Sequence, residues 1–175
     1  MRALRATPSR YAALVLAVFG ATVSSCSDPV PDAQIAALGD EDPGVPVGPE
    51  HRPGQPCVLC HTARGPASNS PFAIGGTVYE TNAAGSPGAE NVRVVFVDSV
   101  GAERVATTNA AGNFYITQAA WSDLAYPFKV AIKRGADEQR MTTTVNREGS
   151  CNYCHLPGNG TRDSIAQVYL KLGGT

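Results

Sequence analysis

Cys57-Val58-Leu59-Cys60-His61 and Cys151-Asn152-Tyr153-Cys154-His155 repeat one pattern, Cys-x-x-Cys-His. Together they use four of the five cysteines and two of the three histidines in a chain of 175 residues. The spacing suits covalent attachment of a c-type haem. Two thiols three positions apart can each form a thioether to a vinyl group, and the imidazole that follows can ligate the iron. One copy could arise by accident. Two copies that consume nearly every thiol and imidazole predict two haem c groups, held by Cys57, Cys60, Cys151 and Cys154, with His61 and His155 as proximal iron ligands.

Two irons bound this way leave two sixth positions, and His51 is the one imidazole left over. It stands in Glu50-His51-Arg52-Pro53-Gly54-Gln55-Pro56, where the prolines pre-order the chain and lower the entropic cost of holding a ring over an iron. His51 is therefore expected to be the distal ligand of one haem, either the first or the second. The competing reading is a solvated linker histidine. Beyond the leader the sole methionine is Met141, in phase with Thr143 and Val145 on an expected strand. That phase favours core filling over ligation and leaves Met141 the weaker distal candidate. A Lys, an open position, or a ligand supplied by self-association are the other options for that iron.

Cys26 belongs to a different device. Arg2, Arg5 and Arg10 precede an apolar run from Tyr11 to Val23, and Val23-Ser24-Ser25-Cys26 follows. A run of about 10–13 apolar residues suits a signal peptide and is short for a bilayer span. The last four residues resemble the bacterial lipobox, with Ser25 departing from its usual Gly or Ala. Residues 1–25 are thus expected to be a lipoprotein-type signal peptide and Cys26 the lipidated first residue; an ordinary cleaved signal is the alternative. Either way the chain is expected to be exported. Lipidation would anchor it at the bacterial cell envelope, whether in the periplasm, at the outer membrane or at the cell surface.

The elements that must position these residues read as β-rich. Formal net charge is −1, which gives no basic field for nucleic acid. Residues 26–50 carry five prolines and six acidic side chains with no Lys or Arg, the composition of an extended, solvated tether. Within it Asp32–Gly39 has an N-cap Asp and a terminal Gly, enough for two helical turns. Residues 51–72 form the first haem-binding segment. Residues 73–175 are expected to be a β-sandwich with a second haem-binding loop at about 146–163.

Seven strands are expected: Ile74–Glu80, Val92–Asp98, Glu103–Thr108, Asn113–Thr117, a run around Phe128–Lys133, Arg140–Val145 and Gln167–Leu172. Gly75-Gly76 in the first suggests a bulge or a close backbone approach. The runs Gly76-Thr77-Val78-Tyr79-Glu80, Gly88-Ala89-Glu90-Asn91-Val92-Arg93-Val94 and Thr108-Asn109-Ala110-Ala111-Gly112-Asn113-Phe114-Tyr115 resemble the carboxypeptidase regulatory-like (transthyretin-like) domain. The likeness covers roughly residues 73–145 and implies a seven-stranded immunoglobulin-like sandwich. Motifs flanking such a domain resemble small exported c-type cytochromes, which implies electron transfer between a redox donor and an acceptor.

If each strand reverses the one before, the start of the first strand and the end of the sixth lie at one end, which would bring the two motifs together. The main rival keeps the sandwich and discards the haem, with the Cys-x-x-Cys pairs forming a zinc site or disulfides in an adhesin-like binding lipoprotein. Against it, neither chemistry requires a His after each pair. Catalysis is not expected. A dihaem peroxidase would need acid–base residues that His51 alone cannot supply, and a dioxygenase-like iron site would need His and Tyr pairs already committed. Trp121, Tyr126 and Tyr153 read as core or interface aromatics rather than as a sugar-binding platform.

Overall fold

Short runs of alternating apolar residues, cut by Gly, Asn and Pro, fold into two packed sheets, one antiparallel and one mixed. The structure is a computed structural model describing residues 29–41, 43–45, 47–157 and 165–171. The signal segment 1–25 and Cys26 lie outside the described residues. Among those described, the strands are β1 (Phe72–Tyr79), β2 (Arg93–Val97), β3 (Glu103–Thr107), β4 (Asn113–Thr117), β5 (Lys129–Arg134), β6 (Asp137–Arg140) and β7 (Val168–Tyr169). One sheet has the order β4-β1-β7 and the other β3-β2-β5-β6. Every strand pairing is antiparallel except β1 with β7, a pattern consistent with strands that reverse one after another along the chain.

The facing sides of the two sheets make the core. Ile74, Val78, Phe114 and Ile116 of one sheet meet Val94, Phe96, Ala106 and Ile132 of the other. Phe96 sits at the centre, with tilted or edge-on contacts to Phe114, Trp121 and Phe128 at ring-centroid distances of 6.0, 6.4 and 5.9 Å. Trp121 is 1 % exposed and lies under the Arg104 guanidinium. It is a core residue and offers no sugar platform, whereas Tyr126 and Tyr153 reach the surface. Glu80, just beyond β1, and Arg134 at the end of β5 pair through two hydrogen bonds of 2.7 and 2.6 Å, tying the sheets at their rim.

One strand lies elsewhere than expected. In place of Arg140–Val145, the sixth strand is Asp137–Arg140, and only Val145 makes an isolated bridge, to Phe128. The reason is the turn. Arg134 pairs with Asp137, which leaves a two-residue hairpin loop in which Gly135 takes φ 61°. A tight turn with positive φ locks the register at once, so the polar run Asp-Glu-Gln-Arg is drawn into the ladder. Met141 therefore follows the strand, with its N–H donating to Val130 O at 3.0 Å.

The acidic segment is helical at its start, α1 (Pro29–Ala37), and is not extended beyond it. Arg52 Nη2 donates to Gly39 O at 3.0 Å, while Asn109 and Asn113 Nδ2 donate to Pro49 O at 2.8 and 3.3 Å. These bonds hold the segment down on the first motif. Among the described residues no helix is long and apolar enough to cross a membrane.

Candidate functional site

Each Cys-x-x-Cys-His folds into one helical turn closed in the same way. The first is α2 (Cys57–Cys60), where His61 N–H donates to Cys57 O at 3.0 Å. The second is a 3₁₀ turn (Cys151–Tyr153), where His155 N–H donates to Cys151 O at 3.0 Å. The closing bond brings each histidine's backbone back over the first cysteine of its turn, and of the four thiols Cys154 alone is exposed.

The imidazoles are oriented alike. His61 Nδ1–H donates to Ser70 O at 2.7 Å and His155 Nδ1–H to Ala166 O at 2.9 Å. A carbonyl can only accept, so Nδ1 carries the proton and Nε2 is left as the nitrogen that could take a metal. This is the arrangement by which metal-binding histidines are commonly fixed. His51 Nδ1 is bonded to Gly48 O in the same manner.

The first motif lies on the outer face of the β4-β1-β7 sheet. Its cavity, about 650 Å³, is lined by Cys57, Cys60, His61, His51, Phe72 and Tyr115, among others. His61 stacks on Phe72 at 3.8 Å and 5°, and Phe72 stacks on Tyr115 at 4.4 Å and 7°. His51 and His61 stand 5.7 Å apart between ring centroids. The cavity volume falls within the ~300–1,000 Å³ of small-molecule sites.

The loop that carries His51 is anchored from beneath. Gly54 N–H donates to Thr77 Oγ1 and Thr77 Oγ1–H to Asn113 Oδ1, both at 2.8 Å, while Asn113 Nδ2 reaches His51 O at 3.0 Å. Arg52 holds φ 50°, a left-handed conformation that costs a non-glycine residue energy. Its guanidinium bonds to Gln55 Oε1 at 2.8 Å and Gly39 O at 3.0 Å, and so holds the turn that swings His51 toward His61.

The second motif faces inward, into the open edge of the sandwich. Its cavity is smaller, about 270 Å³, and largely apolar, with Cys151, Cys154, His155, Met141, Val94 and Phe114 on its walls. Met141 thus shares a cavity with His155, which its sequence phase alone did not suggest. The chain between Pro157 and Ile165 lies outside the described residues. His155 and Ile165 form an isolated bridge, and Ile165 N–H donates to Cys154 O at 2.9 Å.

The motifs touch one another. Val58 N–H donates to Ser150 Oγ at 3.1 Å, Gly75 N–H donates to Gly149 O at 2.9 Å, and Ser150 bridges Gly75 in parallel. This proximity is what strand alternation predicts, and the side chains beside Gly75 and Gly76 confirm the expected close backbone approach. Burial pushes the Cys57 thiol up to about 11 and the Cys151 thiol up to about 12. Cys60 is also raised by burial, with the Arg52 charge opposing. All four described cysteines are free, and no three His, Cys, Asp or Glu side chains among the described residues converge as a metal-ion site would require.

Compared with protein families, curated proteins and solved structures, the chain matches none, so its chemistry is argued from its own geometry.

Proposed function

We propose that the chain is an exported electron-transfer cytochrome with two covalently attached haems, built on a sandwich of the carboxypeptidase regulatory-like kind. One observation carries the reading. Two segments far apart in sequence fold into the same device, a turn with two thiols and an imidazole whose Nδ1 is tied to a backbone carbonyl and whose Nε2 is left bare. Disulfide chemistry has no use for such an imidazole. A zinc site assembled from both pairs needs the thiols to converge, and they face opposite sides of β1.

When bound, haem supplies a one-electron ferrous–ferric couple. The chain's own residues do the rest. Cys57, Cys60, Cys151 and Cys154 supply the thioether sulfurs. Ser70 O and Ala166 O fix the tautomer and ring plane of His61 and His155. Phe72 fills one face of the His61 ring and prevents its rotation. The Thr77–Asn113 pair holds the His51 loop in place for a distal role at the first motif. Val94, Val130 and Phe114 make the wall of the second cavity apolar, and an apolar surrounding influences potential. The proposed partners are single-electron redox proteins at the cell envelope, with Cys26 as the lipid anchor.

Intact mass of the mature protein tests the reading. We expect the polypeptide plus two haems, and the loss of one haem in the Cys151→Ala/Cys154→Ala double variant. A bare polypeptide mass overturns the proposal, and zinc released on denaturation would favour the rival.

A further inference from the structure

The first cysteines of the two motifs stand over consecutive residues of one strand. A Cβ built on Gly75 would lie 3.0 Å from Cys57 Cβ and 3.3 Å from its Sγ. One built on Gly76 would lie 2.8 Å from Cys151 Cβ and 2.8 Å from Phe114 Cζ. Successive strand residues point to opposite faces, so Cys57 and Cys151 are separated by the thickness of a single strand. The register agrees. Gly75 pairs with the exposed Tyr115, and Gly76 with the buried Phe114.

Backbone conformation does not explain these glycines. Neither is among the residues with positive φ, so each sits in ordinary strand geometry that other residues adopt readily. Glycine weakens a strand interior through its greater freedom in the unfolded chain. What its absence of a side chain allows here is contact, with one motif pressed on each face. The hydrogen bonds from Val58 to Ser150 and from Gly75 to Gly149 run between the same two segments and keep that contact tight.

We propose that Gly75-Gly76 forms a thin partition that couples the two haems electronically. This rests on the two-haem reading above. With haem bound, Cys57 and His61 would hold one group on one face of β1 and Cys151 and His155 the other on the opposite face, and the pair would supply one-electron exchange across the strand. No bond forms or breaks and no proton moves. An external one-electron donor would refill the first haem, and a one-electron acceptor would empty the second. Gly75 and Gly76 are positioning residues, acting through the cysteines that rest on them.

The test uses the protein loaded with both haems. Potentiometric titration is compared with the single-haem variants Cys57→Ala/Cys60→Ala and Cys151→Ala/Cys154→Ala, and the internal electron-transfer rate is followed after a reducing pulse. The wild-type titration is expected to differ from the sum of the two single-haem curves, with the second haem to be oxidised displaced to higher potential by the charge on the first. Gly75→Ala should retain both haems and slow internal transfer several-fold, because the added methyl pushes Cys57 outward. Gly76→Ala combined with Phe114→Leu makes the corresponding change on the other face while relieving the second clash. A two-haem protein that titrates as the simple sum and keeps its internal rate in both glycine variants overturns the inference. Fewer than two haems on the wild type overturns the parent reading instead.

Discussion

The two motifs are alike in sequence and in local fold, yet their surroundings differ at each point that bears on chemistry. The first lies against the outer face of a sheet, under a cap built from α1 and the His51 loop. It has polar groups nearby and a second imidazole 5.7 Å from its own. The second lies at the inner edge of the sandwich among Val94, Phe114 and Val130, with no second imidazole and with Met141 on its wall. Under the proposed reading the shared Cys-x-x-Cys-His pattern would specify attachment and proximal ligation, while the sixth position and the polarity around it would come from the fold. On that reading, motifs of one pattern would be given different potentials by their surroundings.

The sharpest contrast concerns the thiols before haem is attached. In the second motif Cys154 is exposed while burial holds Cys151 up to about 12, so that motif pairs an accessible thiol with a deeply protected one. Alkylation of the haem-free chain at pH 8 should label Cys154 first. Cys57 and Cys151 should lag by about a hundredfold or more relative to an ordinary thiol, since only the thiolate reacts. Equal rates at all four would dissolve the contrast. The sign for stability follows. Between pH 9 and about 11–12 the unfolded chain has lost protons that the folded chain keeps, so stability is complete below pH 9 and falls as pH rises through that window. Denaturant titrations at pH 8 and pH 10.5 would check it.

His51→Ala should break the comparison from the first side. We expect one haem of the two to leave the low-spin bis-histidine state and the other to keep its spectrum, as read by electron paramagnetic resonance. Two unchanged haems would reduce His51 to a linker residue.

Met141→Leu is the smallest and most local change, because the two side chains are close in volume. If Met141 ligates, the second haem alone should lose its sulfur-to-iron charge-transfer band and fall in potential, since thioether ligation raises it. An unaltered band and potential would make Met141 a wall of the cavity and nothing more.

Much of this was legible in the sequence, for physical reasons that can be named. The alternation Val92, Val94, Phe96 announced β2, and Asn109–Gly112 announced the turn into β4, because period and turn chemistry are local. Gly75-Gly76 signalled close approach without saying what approached. Three things were not legible. The polar β6 has no apolar alternation, and its register comes from Gly135. The parallel pairing of β7 with β1 joins segments remote in sequence, which no local pattern records. The meeting of Met141 with His155 likewise depends on where the chain goes after the hairpin. The distal groups were the least legible part of the site, since axial geometry is a tertiary property.

α1 begins at Pro29, and its Ile35, with Leu38 just past its end, already walls the first cavity, while Gln34 Nε2 reaches Tyr153 Oη at 2.9 Å. Only three peptide steps join Cys26 to Pro29, a contour of about 10 Å at full extension. A lipid on Cys26 would therefore keep the first cavity within about that distance of the bilayer surface. Its encounters would then be a two-dimensional search, open to carriers that themselves reach the membrane plane and closed to any that stay more than a few nanometres above it.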